Sequence, residues 1–366
     1  MAGLAGSAKR DKDRRSVVGR RLHNLLLGRD GAASPEGVVG RLTAMQAQEH
    51  RYALWSVAQR TVGPTSAAAV TRAFDEGRFL RTHVLRPTWH YVAATDMRWL
   101  LRVSGPRVEA RNAAHYRDLG LSALSLGRSN DVIAEAVSAG PRSRAEIAAA
   151  LDRRRLSTSG ERLTYMLMHA ELTGVVCSGP MTGAQHTYAA FERRVPLGEG
   201  HEGDGALAEL AWRYFSTRGP ATLRDFSWWS GLGASLAKKA LASVAERLGS
   251  VDIDGVKYWS APAEHSPVPP GEPLGAHLLQ CYDELIVSYT RTREALRAPG
   301  TDFPLLGREK GFRHVVLVQG QLVGHWRDWR SSGGLRTEVR VAQPLTGRDE
   351  SGVARAIERY VAFAGA

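Results

Sequence analysis

A Gly-Pro turn followed by Ser or Thr and a helical pattern occurs three times, at Gly63, Gly140 and Gly219. The segments read GPTSAAAVTRAF, GPRSRAEIAAAL and GPATLRDFSWWSGL, at intervals of 77 and 79 residues. A period of this size points to an array of small supersecondary units rather than one large core. Ser143 and Glu146, like Thr222 and Asp225, stand three apart, the spacing of a capping box. In that arrangement a side-chain oxygen satisfies a free N–H of the first helical turn.

The residues after each turn repeat in outline. After Ser143 come a short helix, a break at STSG, a second helix through ERLTYMLMHAEL, and two strand-like runs, GVVCSG and QHTYAAF. After Thr222 come a short helix, the GLG break, ASLAKKALASVAERL, and a hairpin about Gly255. The first unit is less regular, with SAAAVTRAFDEG leading to FLRTHV and TWHYVA across Leu85-Arg86-Pro87. Helix, turn, helix and hairpin is the layout of a winged helix. The chain is therefore expected to be α+β, with winged-helix units over 17–127, 128–200 and 201–263. Residues 1–16 read as a disordered basic tail. Beyond the Pro/Gly-rich HSPVPPGEP, residues 264–366 read as a small β-rich domain with a tight hairpin at Gly320 and a final amphipathic helix.

Charge narrows the partners. The 366-residue chain has a formal charge of +12, and only six of its 49 basic residues are lysines. Such an excess favours a polyanion, nucleic acid first. Cys177 and Cys281 are far apart and unpaired in spacing, so a disulfide framework is not expected and a cytoplasmic setting is. No apolar run reaches membrane-spanning length. No nucleotide-binding loop, metal-ligand spacing or nucleophile elbow appears, so no cofactor and no metal are expected. Asp283 and Glu284 read as structural, ion-paired carboxylates, His83 and His90 as hydrogen-bonded structural groups, and Trp55, Trp89 and Trp228 as core.

The segment RLTAMQAQEHRYALWSVAQRT breaks a helical apolar pattern with the polar insertion QAQEHR. Residues two apart on a helix do not share a face. Gln46 and Gln48 converge on one point only if the helix ends near Met45 and the insertion is a turn. Two solvated glutamines on a helix surface satisfy the same pattern.

MQAQEH, RTHVLRPTWHYV, GPMTGAQHTYAAFERRVP, RGPATLRDFSWWSGL, LLQCYDELIVSY and VLVQGQLVGHW, taken together and in order, resemble the AlkZ-like DNA glycosylases. The resemblance runs from about residue 17 to the C-terminus. It implies three winged helices in a C-shaped array around a concave basic face, followed by a β-barrel-like domain. It also implies that a Gln-x-Gln pair, here Gln46 and Gln48, positions the water that attacks deoxyribose. The carboxylate of the family's Gln-x-Asp branch is missing. The chain thus looks like the branch tied to toxin self-resistance and bulky N7 adducts.

N7-alkylguanine is cationic, so its glycosidic bond is already weakened, and two amide carbonyls suffice to orient a water. The expected activity is monofunctional excision of alkylated bases in DNA repair, since no lysine neighbours the glutamines. The expected partner is double-stranded DNA carrying such bases, bound by a monomer associated with the nucleoid. Arg51, Arg86, His90, Arg142 and Arg144 are the candidate DNA contacts, with Arg117 and the basic segment 291–313 as further ones. A winged-helix regulator without chemistry is the alternative.

Overall fold

The computed structural model describes residues 2–28, 31–198, 200–262, 274–297, 304 and 313–365, with the backbone alone for 2–12. The chain opens with a helix, α1 (Ala2–Asn24), where a disordered tail to residue 16 is expected. Beyond the expected tail the helix is packed: Val17, Val18 and Leu22 are buried. Arg21 bonds Pro220 O at 2.9 Å and Thr292 O at 3.0 Å, and lies 3.7 Å over the Tyr289 ring.

The first unit runs α2 (Pro35–Leu42), β1 (Met45–Gln46), α3 (His50–Ala58), α4 (Ala67–Asp75), β2 (Phe79–Val84) and β3 (Arg86–Ala93), with sheet order β1-β3-β2. A 22-residue helix, α5 (Met97–Asp118), leads to the second unit. There α6 (Ala123–Val137), β4 (Arg142–Ser143), α7 (Arg144–Arg153), α8 (Arg162–Leu172), β5 (Val176–Ser178) and β6 (Thr187–Ala190) repeat the order, with sheet β4-β6-β5. After α9 (Phe191–Arg194) the third unit has α10 (Gly203–Arg218), α11 (Leu223–Ser230), α12 (Ala234–Ala242), β7 (Gly249–Ile253) and β8 (Val256–Ser260). A single bridge from Ala221 to Trp259 stands where β1 and β4 stand in the other two.

Each unit is therefore helix, strand or bridge, helix, helix, hairpin. The sequence repeat is out of register in the first. Gly140 and Gly219 precede α7 and α11, the middle helices, whereas Gly63 precedes α4, the last helix before its hairpin. Ser66, Ser143 and Thr222 all cap, and Ser143 and Thr222 form full capping boxes with Glu146 and Asp225. A capping turn marks a helix start without saying which helix. The first-unit counterpart of β4 is β1, so the glutamine segment occupies the leading strand of its unit.

The C-terminal region is an open four-stranded antiparallel sheet, not a barrel. β9 (Ala276–Leu279) and the short α13 (Glu284–Val287) precede β10 (His314–Val318), β11 (Gln321–Ser331) and β12 (Gly334–Val341), in the order β12-β11-β10-β9. The two edge strands do not meet, because α14 (Gly347–Gly365) packs on the sheet through buried Val353, Ala356, Tyr360 and Phe363. The expected turn at Gly320 is present, with Gln319 and Gly320 both at positive φ. Segment 291–313 begins as a 3-10 turn, Arg291–Leu296, and most of its remainder lies outside the described residues, as does the HSPVPPGEP linker.

One apolar core runs through the first unit, the third unit and the C-terminal sheet. The second unit has its own, built on Leu126, Ile133, Ile147, Leu151, Met166 and Val176. Both cysteines are free and buried. No described helix is long and apolar enough to cross a membrane.

Candidate active site

The Gln46–Gln48 segment is neither a helix surface nor a helical turn. Helix α2 ends at Thr43, whose φ of 66° turns the chain out of the helix. The next residues extend as β1, in register Met45 with Tyr91 and Gln46 with His90. Ala47 N–H continues the pairing by donating to Trp89 O at 2.7 Å. The ladder stops at Ala47 and the chain bends at Gln48, so the two side chains are related through their contacts rather than by strand alternation.

Both amide carbonyls are anchored on β3. Arg86 Nη2 donates to Gln46 Oε1 at 2.9 Å, and the Trp89 N–H donates to Gln48 Oε1 at 2.8 Å. A carbonyl oxygen accepts twice. Each glutamine therefore keeps one lone pair and its NH2 group, neither Nε2 having a partner among the described residues. Gln46 is buried and Gln48 half-buried.

Three buried ionic groups brace the segment from outside its own sequence. Glu284 Oε1 accepts the Gln46 N–H at 2.8 Å. Its other oxygen takes Arg218 Nη2 at 2.6 Å, Ser288 Oγ at 2.7 Å and Trp229 Nε1 at 3.2 Å. Burial pushes this carboxyl up, but the Arg218 charge and the bonds from Ser288 and Gln46 outweigh it and hold it at about 2. Arg218 in turn donates to Leu42 O at 2.9 Å and Ala44 O at 2.7 Å, satisfying carbonyls freed where α2 ends. Arg81 Nε donates to Ala47 O at 2.9 Å while its guanidinium lies 4.2 Å over the Trp89 ring.

Asp283 takes a separate partner, Arg60, in a bidentate pair at 2.7 and 2.9 Å. Asp283 caps α13 and Glu284 is its first residue. Sequence reasoning placed Glu284 among structural ion pairs and missed its bond to the catalytic candidate. Arg218 and Arg81 carry no local signal either, since their partners are far along the chain.

The candidate DNA contacts divide. Arg86 is half-buried at Gln46, its Cζ 5.5 Å from the Trp228 ring. Trp228 is 49% exposed and Trp89 half-buried, corrections to their reading as core, while Trp55 is buried as expected. His90 is also a correction: it is fully buried, its Nδ1–H donates to Thr88 O at 2.9 Å, and burial lowers its pKa to about 3. No phosphate reaches a side chain so enclosed. Arg51 is committed to Asp328, which also accepts from Tyr52 at 2.6 Å and Tyr360 at 2.7 Å, tying α3 to the C-terminal sheet. Arg142 and Arg144 lie in the second unit, bonded to Ala136 O at 3.1 Å and Thr164 Oγ1 at 2.8 Å, with Arg144 exposed. His83 pairs with buried Glu171.

Glu49, Cys281 and His314 bring potential metal-ligand atoms within 4.8 Å of one another. His314 Nδ1 accepts the Cys281 N–H at 3.2 Å, which puts the ring proton on Nε2 and leaves that histidine no lone pair for a metal.

The family described as DNA glycosylase AlkZ-like matches residues 39–363. The chain belongs to the AlkZ-like DNA glycosylases. It is 24% identical over 328 residues to an interstrand DNA cross-link repair glycosylase of Streptomyces sahachiroi, covering 85% of this chain and 87% of the relative. Its fold is similar to the solved structure of S. sahachiroi DNA glycosylase AlkZ, with a TM-score of 0.76, 23% identity and coverage of 96% and 97% of the two chains. An AlkZ-like glycosylase acts on DNA, so the regulator reading is set aside. The AlkZ-like match also spans the strand that carries Gln46 and Gln48.

Proposed function

We propose that this enzyme hydrolyses the N-glycosidic bond of cationic, N7-alkylguanine-type lesions in duplex DNA, including bulky or crosslinked adducts, and leaves an abasic site in an unbroken strand. The observation that carries this reading is the anchoring of both glutamine carbonyls on β3, each with a lone pair to spare. A water held between them meets C1′ as the charged base departs. Neither amide is a base, which suits a nearly dissociated transition state in which positioning and electrostatics supply most of the acceleration. Glu284 is no substitute base, since its oxygens are taken by Gln46, Arg218, Ser288 and Trp229.

On this reading the three units act as winged helices forming a basic arc that a monomer lays along DNA. The S. sahachiroi relative's name, an interstrand DNA cross-link repair glycosylase, supports including crosslinks among the substrates; self-resistance to a genotoxin is the setting such a substrate range would serve. The test is incubation with a duplex carrying N7-methylguanine or an N7-linked interstrand crosslink, then heat or alkali. Breaks that appear with the native protein and vanish in Gln46→Ala and Gln48→Ala support the reading. No breaks on either substrate at saturating protein refute it.

A further inference from the structure

Arg86 stands beside the glutamine pair, bonded to Gln46. It is the first residue of β3, directly after Leu85, whose φ of 63° forms the tight β2–β3 connection. That connection is clamped by the third unit. Gly231 sits at φ 69° with no side chain, and a Cβ there would fall 2.2 Å from Leu85 O. Arg111 Nη2 fixes Gly231 O from α5 at 3.0 Å. The base of Arg86 is thus held by two other elements.

Its guanidinium is only partly satisfied. Nη2 donates to Gln46 Oε1, while Nε is buried without an acceptor among the described residues. Glu284, the carboxylate whose charge acts on it, is committed to Arg218. Burial lowers the Arg86 pKa, Glu284 opposes this, and the charges of Arg218 and Arg111 lower it further. Arg86 therefore stands in a cationic neighbourhood that lacks an anion of its own, beside the exposed ring of Trp228. A phosphodiester is the anion that duplex DNA supplies, and a guanidinium has donors enough to serve it and an amide at once.

We propose that Arg86 is a positioning residue that bridges a backbone phosphate of bound DNA to the Gln46 amide, coupling strand engagement to orientation of the attacking water. This inference rests on the glutamine-pair reading and deepens it. In the free protein one edge of the guanidinium holds Gln46 Oε1. With DNA in place, the partly exposed edge takes the phosphate, and the two charges fix the amide that carries the water.

The test uses the full chain and a duplex with one central N7-methylguanine. Affinity is measured by anisotropy from 50 to 200 mM KCl, and the single-turnover excision rate at saturating protein. Arg86→Gln is expected to flatten the salt slope by about 0.9, the signature of one lost phosphate contact. It is also expected to lower the saturated rate by about 10²-fold, as a misplaced reactive geometry does. Arg86→Lys keeps the charge, so it should restore the salt slope but not the rate, because an ammonium lacks the planar fork that serves both partners. A purely structural role would lower melting temperature and rate while leaving the slope of Arg86→Gln at the native value, and that result overturns the proposal. Full rate in Arg86→Lys overturns it as well, and Lys is the folded variant to use should Gln destabilise the chain. If the native protein excises and both variants match it, only this inference fails. If the native protein excises neither this lesion nor a crosslink, the parent reading fails.

Discussion

The backbone N–H of Gln46 donates to Glu284 Oε1 at 2.8 Å across 238 positions of sequence. That bond joins the strand carrying the glutamine pair to the first residue of α13 and, through Arg218, to the end of α10. The site is thus assembled from three distant segments around one buried carboxylate.

Glu284→Gln removes the counter-charge of buried Arg218. Breaking one side of a buried pair typically costs about 3–5 kcal/mol. Urea unfolding should show a loss of that order, accompanied by reduced excision. A variant as stable as the native chain would mean that the Arg218–Glu284 pair does not hold β1.

Acid should destabilise the fold in two overlapping stages. Burial lowers His50 and His90 to about 3 and His186, His277 and His314 to about 4. The unfolded chain takes up these protons near pH 6.5, so stability falls as pH drops below that value and continues to fall toward 3. Glu284, held at about 2, contributes stability above its ordinary value near 4.5 and loses it as pH falls toward 2. Melting temperatures from pH 7 to 3 check the order, and a flat profile between 6.5 and 5 would contradict the histidine stage.

Gly231→Ala places a methyl against Leu85 O and forces an alanine into φ 69°. The conformation alone costs about 1–2 kcal/mol. The β2–β3 connection must then shift and carry Arg86 away from Gln46. Lower melting temperature and slower single-turnover excision are expected together.

Gln48→Asp should extend the range of lesions. A carboxylate there adds a base, worth about 10²–10⁴-fold where the leaving base is less labile. Excision of neutral alkylated bases, relative to N7-methylguanine, should rise. An unchanged ratio would show that position 48 does not govern base catalysis.

Local chemistry was legible in the sequence wherever a structure is decided within a few residues. The capping boxes at Ser143 and Thr222, the hairpins of the second and third units, the turn at Gly320 and the final helix all arise from short-range hydrogen bonding and apolar period. The same locality misled at Gly63, where a sound helix start lies before a different helix of its unit. The β-barrel-like reading of the C-terminal sheet failed for a related reason. Whether β9 and β12 meet depends on what packs against them.

Residue type and spacing were enough to reveal the amide pair, the basic surplus and most elements. The folded chain decided that both glutamine carbonyls bond β3, since pairing with β3 draws Met45 and Gln46 out of the helix into a strand. It also decided that Glu284 and Arg218 support them and that His90 is sealed away. Burial and charge pairing between segments hundreds of residues apart make those choices, and no local pattern encodes them.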